Sequence, residues 1–118
     1  MTETIVLGLE GATWDVLDPL IDDGILPNVA AVCDEGYSGT LDSVYPPTSG
    51  PAWASMATGM NPGKTGVYYF LNRTDPDTFE FEPMGSRDFE GRTFWDVLGE
   101  NGQSTGVFNF PMPHPPYE

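Results

Sequence analysis

Residues 44–67, VYPPTSGPAWASMATGMNPGKTGV, constrain what this chain can fold into more than any other stretch. No charged side chain occurs between Asp42 and Lys64, in a protein otherwise thick with carboxylates. Pro46-Pro47 forms an extended arm and Thr48-Ser49 a polar corner. Pro51 suits the first turn of a helix, because the N–H it lacks would have no partner there. Trp53, Ala54, Met56 and Ala57 supply an apolar, small-residue face, and Gly59 with the Asn61-Pro62-Gly63 turn stops the helix. Ser49 therefore stands at or just before a helix N-terminus, where backbone N–H groups and the dipole favour an anion. A hydroxyl held there can lose its proton and attack an electrophile. The competing role for Ser49 or Thr48 is an ordinary N-cap, and the stretch taken alone favours it.

Charge sets the next limit. Eighteen acids face four bases, a net charge of −14, and all four bases (Lys64, Arg73, Arg87, Arg92) lie beyond residue 63. Such a surface repels phosphate backbones, which argues against a nucleic-acid partner. The acids are dispersed rather than run together, as in a protein whose self-repulsion is screened by high salt. At 118 residues the chain is at most one domain or part of one, and 39% hydrophobic residues suffice for a folded core. The single cysteine, Cys33, cannot form an internal disulfide and reads as a core residue, which suits a reducing compartment. The apolar run Ile5–Leu9 is too short to span a membrane or serve as a signal peptide, so a cytoplasmic protein with no membrane partner is expected.

Taken in order, residues 3–9 (ETIVLGL) fit a buried strand that runs into Glu10-Gly11, with a carboxylate at its C-terminal edge, where ligands bind in open α/β sheets. Thr13 can cap a first turn, Asp18-Pro19 reads as a fresh cap that restarts the helix, and Gly24 ends it. A second helix follows from Pro27 to a stop at Gly36. Residues 37–44 and the run VYYFL after Gly66 read as strands, and residues 72–91 as a loop or small hairpin around Phe79–Phe81. Thr93 caps a helix closed by Asn101-Gly102, and residues 104–110 read as a further strand. Strands alternating with helices predict an α/β fold with a mainly parallel sheet. His114, the only histidine, sits between prolines and reads as a loop residue.

The segments GLEGA, LPNVAAVCDEG, PPTSGPAWASMATGMNPGKTGV and FWDVLGENG, in that order, resemble the alkaline phosphatase superfamily. Within it, the resemblance is to the type I phosphodiesterase/nucleotide pyrophosphatase family. Members are several times longer, so residues 1–118 resemble the N-terminal portion of one of their domains. The fold so implied is a partial three-layer sandwich, α/β, around a mainly parallel sheet.

The resemblance also implies a chemistry. The family has an aspartate where Glu10 stands, as a ligand to one of two divalent metals, usually zinc, with manganese the other candidate. It has a threonine or serine where Ser49 stands, as a metal-bound nucleophile that takes the phosphoryl group. Backbone N–H groups from about Gly50 onward would hold the phosphate, and Lys64 is at best an electrostatic helper. Thr65 stands where many relatives carry histidine, and Phe70 about where nucleotide pyrophosphatases carry an asparagine on the phosphate. The implied function is metal-dependent hydrolysis of phosphate esters, diesters or nucleotide pyrophosphates, with a small-molecule substrate. A sulfatase or phosphomutase relative ranks lower, because Ser49-Gly50-Pro51-Ala52-Trp53 lacks the arginine of the sulfatase motif. The alternative of another kind is a catalytically inactive fragment or binding domain of the same fold. One histidine cannot furnish a two-metal site, so little turnover by the chain alone is expected, together with self-association through an uncovered sheet.

Overall fold

The computed structural model describes residues 4–73, 75–112 and 114–116. Two compact units are present, Met1–Asp42 and Ser43–Glu118.

The first unit is a helical pair. Helix α1 (Trp14–Asp22) and helix α2 (Pro27–Glu35) pack on each other. The half-buried positions explain the pairing: Trp14, Leu17, Leu20 and Ile21 on α1, and Leu26, Val29, Ala30 and Cys33 at the start of and along α2. Both sets recur at three- and four-residue spacing, which puts them on one helical face. Cys33 lies on that face but is half-buried, not fully enclosed. The expected break at Asp18-Pro19 does not occur, and α1 runs through Pro19. Proline removes one N–H from the ladder. The turns on either side hold, with the Val16 and Leu17 N–H groups on the Thr13 carbonyl and that of Asp23 on the Pro19 carbonyl. Thr13 precedes α1 in extended conformation but makes no side-chain cap hydrogen bond. The stop is as expected: Gly24 adopts φ +71°, its N–H meets the Ile21 carbonyl, and the Ile25 N–H reaches Leu20 at 2.8 Å. The indole Nε1 of Trp14 donates to the Gly39 carbonyl at 3.0 Å, tying down the segment after α2.

The second unit holds helix α3 (Ser49–Thr58), the one-turn helix α4 (Pro62–Thr65), strands β1 (Leu71–Asn72) and β2 (Glu82–Pro83), and helix α5 (Phe94–Glu100). Its core is small: Ala54, Val67 and Met84, flanked by Phe89 and Met112, with Ala57 also buried. The phenyl ring of Phe110 meets Trp53 of α3 and Trp95 of α5 edge-on, at centroid distances of 5.1 and 4.9 Å. Such edge contacts add to plain burial and hold the two helices together. Gly59 ends α3 at φ +68°, as expected. The Asn61-Pro62-Gly63 turn does more than stop the helix, since Asn61 Oδ1 accepts from the Lys64 N–H and opens α4. Thr93 caps α5 as anticipated, in a reciprocal box: its hydroxyl accepts from the Asp96 N–H while the Asp96 carboxylate accepts from the Thr93 N–H.

The sheet departs from expectation. Mixed helix and strand content agrees with an α/β class, but the strand pair among the described residues is antiparallel, with Leu71 opposite Pro83 and Asn72 opposite Glu82. It forms the small hairpin foreseen around Phe79–Phe81. Among the described residues a mainly parallel sheet and a three-layer sandwich are not seen. The runs 4–9, 37–44 and 104–110 lie outside any ladder, and of the 3–9 run Glu3 is outside the described residues. Ile5 is 92% exposed and Phe108 96%. A β-branched run states a preference for strand, but a strand also needs a second backbone to pair with.

Candidate active site

The corner before α3 is built by backbone constraints. The Thr48 N–H turns back to the Pro46 carbonyl at 2.9 Å, and Thr48 itself is extended at φ −128°. The helix begins at Ser49, and its first bond past the corner runs from the Ala52 N–H to the Thr48 carbonyl at 3.2 Å. Thr48 stands at the N-cap position foreseen for it, in extended conformation, but its side chain makes no cap hydrogen bond. Ser49 is the first helical residue, not a residue ahead of the helix, and is half-buried.

Gly50 fixes this corner in space. It is buried, and a Cβ there would stand 3.1 Å from the Tyr69 carbonyl carbon and 3.2 Å from the Phe70 nitrogen. Those are backbone atoms and cannot swing aside. Glycine is thus favoured here by close approach, since a Cβ would force the 69–70 backbone to give by a few tenths of an ångström. The Phe70 carbonyl in turn accepts from the N–H of buried Met84 at 2.8 Å, which anchors the 69–70 backbone to the core. Pro51, also buried, has no N–H, so the backbone donors at the very start of the helix are those of Ser49 and Gly50. With the positive end of the dipole, they are a place where an anion is favoured.

The other residues named from sequence are described each within its own unit. Lys64 is exposed on α4, which packs against α3. Thr65, at the position where relatives carry histidine, is fully buried, and its hydroxyl accepts from the Val67 N–H at 3.3 Å. It serves the packing of the turn. Glu10 belongs to the first unit, exposed in a turn closed by the Ala12 N–H on the Leu9 carbonyl at 3.5 Å, with Gly11 at φ +67°. His114 is exposed, and its backbone N–H and carbonyl meet Met112 and Ser86. Its neighbours Pro113, Tyr117 and Glu118 lie outside the described residues.

A family model for type I phosphodiesterase / nucleotide pyrophosphatase matches residues 4–118, and the chain belongs to that family. No curated protein and no solved structure matches it. The family is generally metal-dependent. Among the described residues no group of three His, Cys, Asp or Glu side chains is placed to hold a metal ion. No described helix is long and apolar enough to cross a membrane.

Proposed function

We propose that this chain hydrolyses phosphate esters, phosphodiesters or nucleotide pyrophosphates, with Ser49 as the nucleophile. The observation that carries this reading is the placement of Ser49 as the first residue of α3, behind an N-cap Thr48 whose side chain makes no cap hydrogen bond. Family membership supplies the reaction class. In the attack the Ser49 Oγ forms a bond to phosphorus as the bond to the departing alcohol oxygen breaks, the hydroxyl proton passing through solvent to that oxygen. Water then attacks phosphorus and breaks the Oγ–P bond, returning a proton to Ser49. The N–H groups of Ser49 and Gly50 are suited to the phosphoryl oxygens, whose charge changes during that displacement. Lys64 contributes at most to the local field. Glu10 is part of the proposal as a carboxylate ligand, though one carboxylate is no metal centre. Residues 1–118 as part of a phosphodiesterase-like α/β domain, with the runs 4–9, 37–44 and 104–110 as strands of a mainly parallel sheet, belong to the same proposal.

The test is release of p-nitrophenolate from bis(p-nitrophenyl) phosphate by the purified chain, in buffers with zinc or manganese. Slow turnover is expected, reduced at least about 100-fold in Ser49→Ala. Turnover equal in the two proteins would refute the assignment. Phosphate binding at Ser49 with no turnover in any buffer would instead identify a binding domain of the same fold.

A further inference from the structure

Helix α5 ends on an asparagine followed by a glycine, Asn101-Gly102, and every residue from Val97 to Asn109 is exposed. Of the five asparagines (Asn28, Asn61, Asn72, Asn101, Asn109), Asn101 alone precedes glycine. Asn61 precedes a proline, which has no N–H. Asparagine is a thermolabile side chain. The backbone nitrogen of the following residue reaches its side-chain carbonyl carbon most easily when that residue has no Cβ to crowd the approach.

In the folded chain, hydrogen bonds hold both groups back. Asn101 Nδ2 donates to the Val97 carbonyl at 2.8 Å, and the Gly102 N–H to the Gly99 carbonyl at 2.9 Å. The Gln103 N–H closes the same end on the Leu98 carbonyl at 2.9 Å, with Gly102 at φ +74°. These bonds lie at the exposed end of a seven-residue helix, a place that opens without the rest of a fold coming apart.

We propose that Asn101 is a deamidation site, gated by opening of the last turn of α5. Once the turn opens, hydroxide takes the Gly102 amide proton and the nitrogen bonds to Asn101 Cγ. The Cγ–Nδ2 bond breaks, and Nδ2 leaves as ammonia with a proton from water, so that a cyclic imide remains and hydroxide is regenerated. Water then opens the ring on either side of the nitrogen, giving aspartate or its isomer with the main chain routed through Cγ. Either product replaces a donor on the Val97 carbonyl by a carboxylate. That charge stands at the negative end of the helix dipole, next in sequence to Glu100, in a chain already at −14. The product therefore closes the turn less well than the asparagine.

The test is peptide mass spectrometry of the chain aged in mildly alkaline buffer, with and without enough guanidinium chloride to unfold it. Asn101 should convert before any other asparagine, and roughly tenfold more slowly in the folded chain, since two exposed hydrogen bonds must open together. Conversion of another asparagine first, or of none, would overturn the site. Equal rates in the folded and unfolded chain would overturn the gating. Hydrogen exchange of the Gly102 and Gln103 amides reads the consequence. It should be about fivefold faster in Asn101→Asp than in the unaltered chain, with Asn101→Ala, which loses the donor but gains no charge, in between. If Asn101→Asp does not fold, Asn101→Ala carries the comparison. Exchange unchanged in the folded variant would overturn the loosening of the turn.

Discussion

Gly50 shows how one missing methyl group sets a site. Gly50→Ala would push a Cβ to within 3.1–3.3 Å of three backbone atoms of residues 69 and 70. Neither backbone can rotate away, so α3 or the 69–70 segment must shift. We expect a loss of about 1–3 kcal/mol, read as a lower urea midpoint with an unchanged slope. An unchanged midpoint would show that the contact is relaxed in solution. The corner around Ser49 was legible in the sequence, because proline, hydroxyl and glycine chemistry acts between residues a few positions apart. The reason for glycine at 50 was not, since it comes from a segment some twenty residues later. Thr65 escaped for a similar reason: a buried threonine bonded to its own turn looks, in sequence, like any polar residue.

At the scale of elements, the two threonine caps read from the sequence differ in whether a reciprocal box is present. Thr93 with Asp96 three residues on is a complete box and does cap α5. Thr13 has no such partner and makes no side-chain cap bond. Thr93→Ala should therefore cost about 1 kcal/mol, and more if the burial of Thr93 leaves a void, whereas Thr13→Ala should be close to neutral. Paired chemical denaturation of the two variants checks this. Equal losses would mean that the caps are not what distinguishes them. Pro19 was misread because Asp-Pro is good cap chemistry anywhere, yet a helix with sound turns on both sides passes through it. The runs 4–9, 37–44 and 104–110 stand outside any ladder among the described residues. The apolar runs carry the period and composition of strands, but which backbone pairs with which is decided by chain topology, and periodicity does not encode it.

For the whole molecule, electrostatics dominates. Net charge is −14 on 118 residues, and the ion pair between Arg92 and Glu100 is exposed on both sides. Such a pair adds little. The larger effect is mutual repulsion among dispersed carboxylates, which is screened within about 10 Å at 0.1 M salt and 3 Å at 1 M. The melting temperature should rise steadily from low to molar KCl, and a flat or falling curve would contradict the role given to surface charge. The exposed runs 4–9 and 104–110 act in the opposite direction, because unpaired apolar backbone favours association once repulsion is screened. Sedimentation velocity at low and at molar KCl should show a larger species growing with salt, and a monomer at both would count against it. The central claim, that Ser49 takes the phosphoryl group, is tested most directly by acid quenching during reaction with bis(p-nitrophenyl) phosphate, followed by peptide mass spectrometry. A phosphoryl adduct on Ser49 that is absent from Ser49→Ala is the predicted result. An adduct on another residue, or turnover that persists in Ser49→Ala, would contradict it.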